Sequence, residues 1–131
     1  MTNTVLTVEK SISYFPVRIM IEGIGEVKGE FIRFWAPRTV DAILRTLPIE
    51  GRAALWHEEV YFEIPVKIGK EKAVSKVETG TIAYWPLGKA VCIFFGKTQP
   101  YSEVNRIGRI IENQGLFKEV RSGTKIKIEK M

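Results

Sequence analysis

Apolar and polar residues alternate in short runs along most of this chain, and one stretch breaks the alternation with a helical period. Val17, Ile19 and Ile21 alternate with Arg18, Met20 and Glu22, the pattern of a half-buried strand. Gly23-Ile24-Gly25 reads as a turn, and Glu26–Trp35 as a longer strand with Gly29 at a bend. Strands resume at Gly51–Trp56 and Glu59–Val66, with His57-Glu58 at the hairpin turn. Val60, Phe62, Ile64 and Val66 share one face of the second; Glu59, Tyr61, Glu63 and Pro65 share the other. Lys67–Thr79 is a charged connection. Gly80–Gly96 holds two short apolar strands joined by Trp85-Pro86-Leu87-Gly88, and a loop follows around Lys97–Glu103. Arg106–Ile111 is a further strand, Leu116–Arg121 a short helical turn, and Thr124–Lys130 a last strand with Ile126 and Ile128 facing inward.

The helical stretch covers about residues 39–47. Val40, Ile43, Leu44 and Leu47 fall at i, i+3, i+4 and i+7 and make one apolar stripe. Thr39 is the expected N-cap. Asp41 and Arg45 suit the two ends of the helix dipole, and Pro48 biases Leu47 away from helix. Many short strands with one main helix predict a mainly β protein, a closed barrel that leaves no edge strand exposed.

The length of 131 residues fits one domain, with 1–13 as an N-terminal extension. One cysteine, Cys92, forbids an intramolecular disulfide and a multi-cysteine metal site. No signal peptide pattern and no apolar run of spanning length is present, so a cytoplasmic location without membrane contact is expected. Twenty basic residues face fifteen acidic ones. The halves differ: residues 1–50 carry six of each, whereas after Gly96 eight basic residues face four acidic ones. These cations are strung singly along strands, so a solvated strand face is preferred to a nucleic-acid footprint. Glutamate outnumbers aspartate fourteen to one, a bias shared with thermophile proteins.

Four pieces of sequence carry a family resemblance: Pro37-Arg38-Thr39 opening the helix, Tyr61-Phe62-Glu63-Ile64, Ile82-Ala83 through Phe94-Phe95, and Ile107-Gly108-Arg109-Ile110. With the order of elements over residues 17–130, they resemble the cyclophilins, and more narrowly the short prokaryotic cyclophilin-like proteins of unassigned activity. The resemblance implies a cyclophilin-like closed eight-stranded β-barrel capped by helices. It also implies a shallow apolar groove on the outer face, where cyclophilins isomerise prolyl bonds. Aligned with the family, the essential arginine falls on Glu63, the methionine-alanine pair on Ile82 and Ala83, and the following asparagine on Tyr84. The groove phenylalanine falls on Phe95, a glutamine on Ile93 and the histidine near Val104. Tyr101 stands in for a tryptophan, and Lys67–Lys70 has no counterpart of the second glutamine.

The alignment thus keeps an apolar floor and removes the polar machinery. Rotation about a prolyl bond faces a barrier of roughly 18–20 kcal/mol from amide resonance. A guanidinium near the proline nitrogen weakens that resonance; an ionised carboxylate at Glu63 has no proton to donate. The expectation is a binding module, without cofactor, that holds a small apolar molecule or a proline-containing peptide. Tyr61, Glu63, Ile82, Ala83, Tyr84, Ile93, Phe95 and Tyr101 would form its groove, and Glu63 would select a cationic or hydrogen-bond-donating group. A divergent prolyl isomerase is the alternative, with Arg33, Arg52 or Arg109 entering the groove. A nucleic-acid binder using the basic C-terminal strands is a second alternative. Phe31, Phe34 and Ile111 are candidates for subunit contacts in a homo-oligomer, or for core.

The remaining motifs read more plainly. His57-Glu58-Glu59 lacks the second histidine of a zinc protease signature. Cys92 suits a small core residue. Glu59 and Glu63 share a strand face four residues apart, roughly 13 Å at ~3.3 Å per residue, too far for a coupled pair; with Glu58 they are expected as solvated charges. Trp85 is expected to pack under loops.

Overall fold

The computed structural model describes residues 13–131; the extension assigned to 1–13 lies, except for Ser13, outside the described residues. Nine strands form one antiparallel sheet that curls into a nearly closed barrel. They are β1 (Tyr14–Ile21), β2 (Gly25–Ile32), β3 (Ile49–Arg52), β4 (Ala54–Trp56), β5 (Glu59–Glu63), β6 (Thr81–Trp85), β7 (Ala90–Phe94), β8 (Asn105–Glu112) and β9 (Lys125–Lys130). Their order across the sheet is β3-β9-β1-β2-β8-β6-β7-β5-β4.

The two edge strands, β3 and β4, are halves of one segment divided at Ala53, which is why nine strands stand where eight were expected. The Ala53 N–H donates to the Thr124 carbonyl (2.8 Å), and its own carbonyl accepts from the Gly123 N–H (2.7 Å). The chain then crosses to pair Ala54 with Tyr61. One segment thereby belongs to both ends of the sheet and closes it. Gly51 permits the approach: a Cβ there would lie 2.9 Å from the Phe62 ring and 3.2 Å from the Glu63 carbonyl.

Strand alternation fills the barrel. Val17, Ile19, Phe31, Val60, Phe62, Val91, Ile126 and Ile128 are among the buried residues of one interior cluster. Phe31 belongs to it, whereas Phe34 and Ile111 are exposed. Strand β2 ends at Ile32, and Arg33–Trp35 form a 3-10 turn that leads into the helix.

Helix α1 (Pro37–Thr46) begins two residues before the expected start. Pro37 takes the first turn, where its missing N–H is no loss, and Ala36 is the cap position without a capping side chain. Thr39 is therefore not the N-cap. The Glu71 carboxylate, from the long β5–β6 connection, accepts from the Arg38 and Thr39 N–H groups (3.0 and 2.9 Å) and from the Thr39 hydroxyl (2.8 Å). Asp41 pairs with Arg33 at 2.8 Å. Val40 and Ile43 are buried against the barrel, as the stripe predicts.

Tyr84 ties the β5–β6 connection down from inside. Its ring is fully buried; its hydroxyl donates to the Val66 carbonyl and accepts from the Ile68 N–H. Burial pushes its phenol up, and the Ile68 hydrogen bond opposes this. Tyr84→Phe would leave the buried Val66 carbonyl and the part-buried Ile68 N–H without this partner, at about 1–3 kcal/mol for the buried one. Urea unfolding is expected to show a lower midpoint with an unchanged slope; an unchanged midpoint would show that the hydroxyl holds nothing.

Candidate functional site

The outer face of β5, β6 and β7 carries a second apolar cluster, Ala83, Cys92, Phe94 and Val104, separate from the barrel interior. Register explains the set. Tyr61 lies beside Cys92 and Cys92 beside Ala83, while Glu59 lies beside Phe94, so these side chains share a face. Val104 covers the cluster from the β7–β8 connection and is fixed by a reciprocal backbone pair with Val74 (2.9 and 3.0 Å).

A cavity of about 220 Å³ opens above this floor, lined by Trp56, Glu59, Tyr61, Trp85, Pro100, Tyr101 and Val104. Four aromatic side chains wall it edge to face. Trp56 and Tyr101 have centroids 5.7 Å apart at 86°, Trp85 and Tyr101 6.2 Å at 76°, and Tyr61 and Trp85 5.9 Å at 85°. Trp56 stands opposite Glu59 across the β4–β5 pair. Trp85 is held from two sides. Its indole N–H donates to the Ser102 hydroxyl at 2.6 Å, and its ring lies so close to Gly88 that a Cβ there would meet it at 2.3 Å. Tyr101 is 72% exposed and forms the outermost wall.

Glu59 is the singular group of this cavity. It was expected as a solvated charge, yet it is 5% exposed, because Trp56 and the β7–β8 connection cover the outer face there. Among the described residues no lysine, arginine or histidine pairs with it. Burial pushes its carboxyl from 4.5 up to about 7; a hydrogen bond from the Cys92 thiol acts in the opposite sense. Burial in turn holds the Cys92 thiol well above its ordinary range, with the Glu59 charge and hydrogen bond adding to the rise. Cys92 is thus a floor residue with a thiol that stays protonated.

Of the eight residues assigned to the groove from sequence, Tyr61 and Tyr101 line the cavity, and Ala83 lies in its floor. Ile82, Tyr84 and Ile93 do not reach it. Alternation turns them into the barrel interior, opposite in direction to Ala83 and Cys92. Phe95 stacks on Phe117 (6.2 Å, 24°) at the edge of the interior cluster. Glu63 is exposed at the end of β5, opposite Ala90, outside the cavity lining. The three arginines considered for the groove are engaged elsewhere: Arg33 with Asp41 (2.8 Å), Arg52 with the Gly123 carbonyl (3.3 Å) and Arg109 with Glu30 (2.8 Å). In the basic C-terminal strands, Lys125 faces Glu50 at 3.6 Å and Lys127 faces Glu129 at 3.7 Å. Trp56, Glu59 and Trp85 were not assigned to the groove. Strand alternation places Glu59 beside Tyr61, which was the available signal.

Fold and groove together define a cyclophilin-like barrel. The chain belongs to the Cyclophilin-like family, whose model matches residues 15–129. It is similar to the solution structure of the hypothetical protein AF2241 from Archaeoglobus fulgidus, with a TM-score of 0.78 and 39% identity over 91% of this chain and 96% of that one. It also resembles McbB, solved in complex with tryptophan, with a TM-score of 0.72 and 15% identity over 86% of this chain and 44% of McbB. That second likeness is one of fold. Comparison with curated proteins gives no match. Among the described residues, no helix is long and apolar enough to cross a membrane.

Proposed function

We propose that this protein is a binding module that holds a small ligand in the outer-face groove between Trp56, Tyr61, Trp85 and Tyr101. The observation that carries the reading is the aromatic enclosure over a packed floor. Two of its walls, Tyr61 and Trp85, sit on barrel strands, and Trp85 is locked by Gly88 and Ser102. A rigid apolar cavity with few polar groups is the usual form of a small-molecule site. At about 220 Å³ it suits a compact head group better than a drug-sized molecule. McbB, which shares this fold over 44% of its own length, was solved in complex with tryptophan.

Binding is favoured over prolyl isomerisation because, among the described residues, Glu59 is the carboxylic acid in the lining and no guanidinium joins it. A carboxyl in that place does not donate to a proline nitrogen once ionised.

The indole N–H signals in a two-dimensional NMR spectrum test the reading. Indole, added as an apolar probe, is expected to shift Trp56 and Trp85. Trp35, which lies under Arg106 at 4.9 Å, serves as the unmoved reference. Trp85→Ala is expected to weaken binding at least tenfold. Equal binding of indole by Trp85→Ala, or shifts confined to Trp35, would remove the groove as the site. Turnover of a proline peptide that Tyr61→Ala or Trp85→Ala abolishes would make the isomerase reading the better one.

A further inference from the structure

A neutral apolar ligand would explain the aromatic walls but not the carboxyl among them. Glu59 is nearly sealed, lies on the cavity wall, and has no cationic partner among the described residues. Buried carboxylates are ordinarily paired, because an unpaired charge in a low-dielectric site is costly. Among the described residues the other lining side chains are neutral, and no lysine or arginine is in the lining. Four aromatic rings line the cavity, in successive pairs at 86°, 76° and 85°, and aromatic rings carry negative π-faces. Such faces attract a cation through their quadrupoles, most strongly when the cation is desolvated. An anion would meet both the rings and Glu59 unfavourably. A hard metal ion would ask for several oxygen ligands, and no group of three potential metal ligands exists among the described residues.

We propose that the groove binds the alkylated ammonium group of a small molecule, with Glu59 as its counter-ion and Trp56, Tyr61, Trp85 and Tyr101 as its walls. This inference rests on the reading of the groove as a ligand site and narrows it to one chemical class. Glu59 loses its proton when the cation enters, and the ion pair replaces the hydration that burial denies the carboxylate. Affinity therefore rises with pH as Glu59 ionises.

The groups facing Glu59 are few. Cys92 on β7 donates to it from below and stays a thiol. Tyr61 on β5 and Tyr101 on the β7–β8 connection present phenols. In the β4–β5 turn, His57 packs edge-on against Trp56 (4.7 Å), and Glu58 is turned toward the Lys97 N–H (3.2 Å). Histidines in general change charge between pH 5 and 8, so His57→Gln is the control for the pH profile.

Choline and its neutral carbon isostere, 3,3-dimethyl-1-butanol, separate charge from shape. Both are titrated against the Trp56 and Trp85 indole signals, with indole as the apolar reference. At pH 8, choline is expected to bind at least tenfold more tightly than the alcohol. Between pH 8 and pH 6 its affinity is expected to fall about tenfold, in proportion to the ionised fraction of a carboxyl near pH 7. The alcohol is expected to show no such fall, and His57→Gln to keep both profiles. Glu59→Gln is expected to equalise the two ligands. If that variant does not fold, the choline-to-alcohol ratio in the unaltered protein decides. Equal affinities there, or indole binding without choline binding, overturn the ammonium inference and leave the groove a ligand site. No response to any of the three removes both readings. A preference for choline that survives in Glu59→Gln overturns the counter-ion role. A trimethyl-lysine peptide bound over tenfold more tightly than choline overturns the small-molecule assignment.

Discussion

At pH 8, Glu59→Gln is expected to be more stable than the unaltered protein by about 3 kcal/mol, and at pH 4 the two are expected to be equal. The sign follows from the carboxyl. Folding raises it from 4.5 to about 7, so between those values the folded state keeps a proton that the unfolded chain releases. Stability then falls as pH rises through this interval and levels off above it. The rise from 4.5 to about 7, at about 1.4 kcal/mol for each tenfold gain in proton affinity, sets the size. Glutamine has nearly the same shape, carries no charge at any pH and still offers Cys92 an acceptor. In thermal unfolding followed by circular dichroism, the melting temperatures should separate progressively above pH 5. The gap should reach roughly 10 °C for a domain of this size. Parallel profiles from pH 4 to pH 8 would show that Glu59 is not the buried acid the geometry makes it. A residue that destabilises the fold at neutral pH accords with the proposed ligand role, since strongly shifted acids cluster at functional sites.

Strand alternation made most of the barrel readable. Val17, Ile19 and Ile21 face inward as their spacing requires, and Val40 and Ile43 turn the helix toward the core. The eight-strand count missed the break at Ala53, because the hydrogen bonds that divide 49–56 come from Gly123 and Thr124, some seventy residues away. The helix start was displaced for a related reason. A local cap was sought at Thr39, whereas the capping carboxylate is Glu71, 32 residues further on.

The groove divides on the same line. Ile82, Ala83 and Tyr84 were placed together by aligned position, but consecutive strand residues point to opposite faces. Only Ala83 faces outward. Alternation also put Glu59 and Tyr61 on the outer face. What it does not encode is that Pro100, Tyr101 and Val104 fold back over that face and seal the carboxyl beneath them. Burial of a polar outer-face residue depends on where a distant connection lands, and that is a tertiary property.

Asn105 stands where the β7–β8 connection ends and its side chain anchors that point to the rest of the fold, and Asn105→Ala is expected to have the second large effect. The side chain is fully buried. Its Oδ1 accepts from the Glu71 N–H (2.8 Å); its Nδ2 donates to the Thr39 hydroxyl (3.1 Å) and the Gly69 carbonyl (3.0 Å). One amide thus joins β8, helix α1 and the β5–β6 connection, and it holds Glu71 in place to cap the helix. Alanine leaves the Glu71 N–H and the Gly69 carbonyl without this partner, each at about 1–3 kcal/mol where water does not replace it, while the Thr39 hydroxyl keeps its bond to Glu71. These contributions do not add fully within a network, so a loss of roughly 3–4 kcal/mol is expected from urea unfolding. Glu71→Ala should cost less on its own and little more when added to Asn105→Ala, because the first change already frees the carboxylate. Glu71 is held below its ordinary value by the Arg38 and Thr39 N–H groups and the Thr39 hydroxyl, against the effect of its own burial. Its share of stability is therefore lost as pH falls, the reverse of Glu59. The groove should feel the same change. Asn105 follows Val104 directly, and Val104 is both a lining residue and the partner of Val74. In Asn105→Ala the Trp85 indole signal should broaden or shift at temperatures where the barrel is still folded, and ligand affinity should fall with it. A loss under 1 kcal/mol, strict additivity with Glu71→Ala, or an unmoved Trp85 signal would sever the link between this polar network and the site.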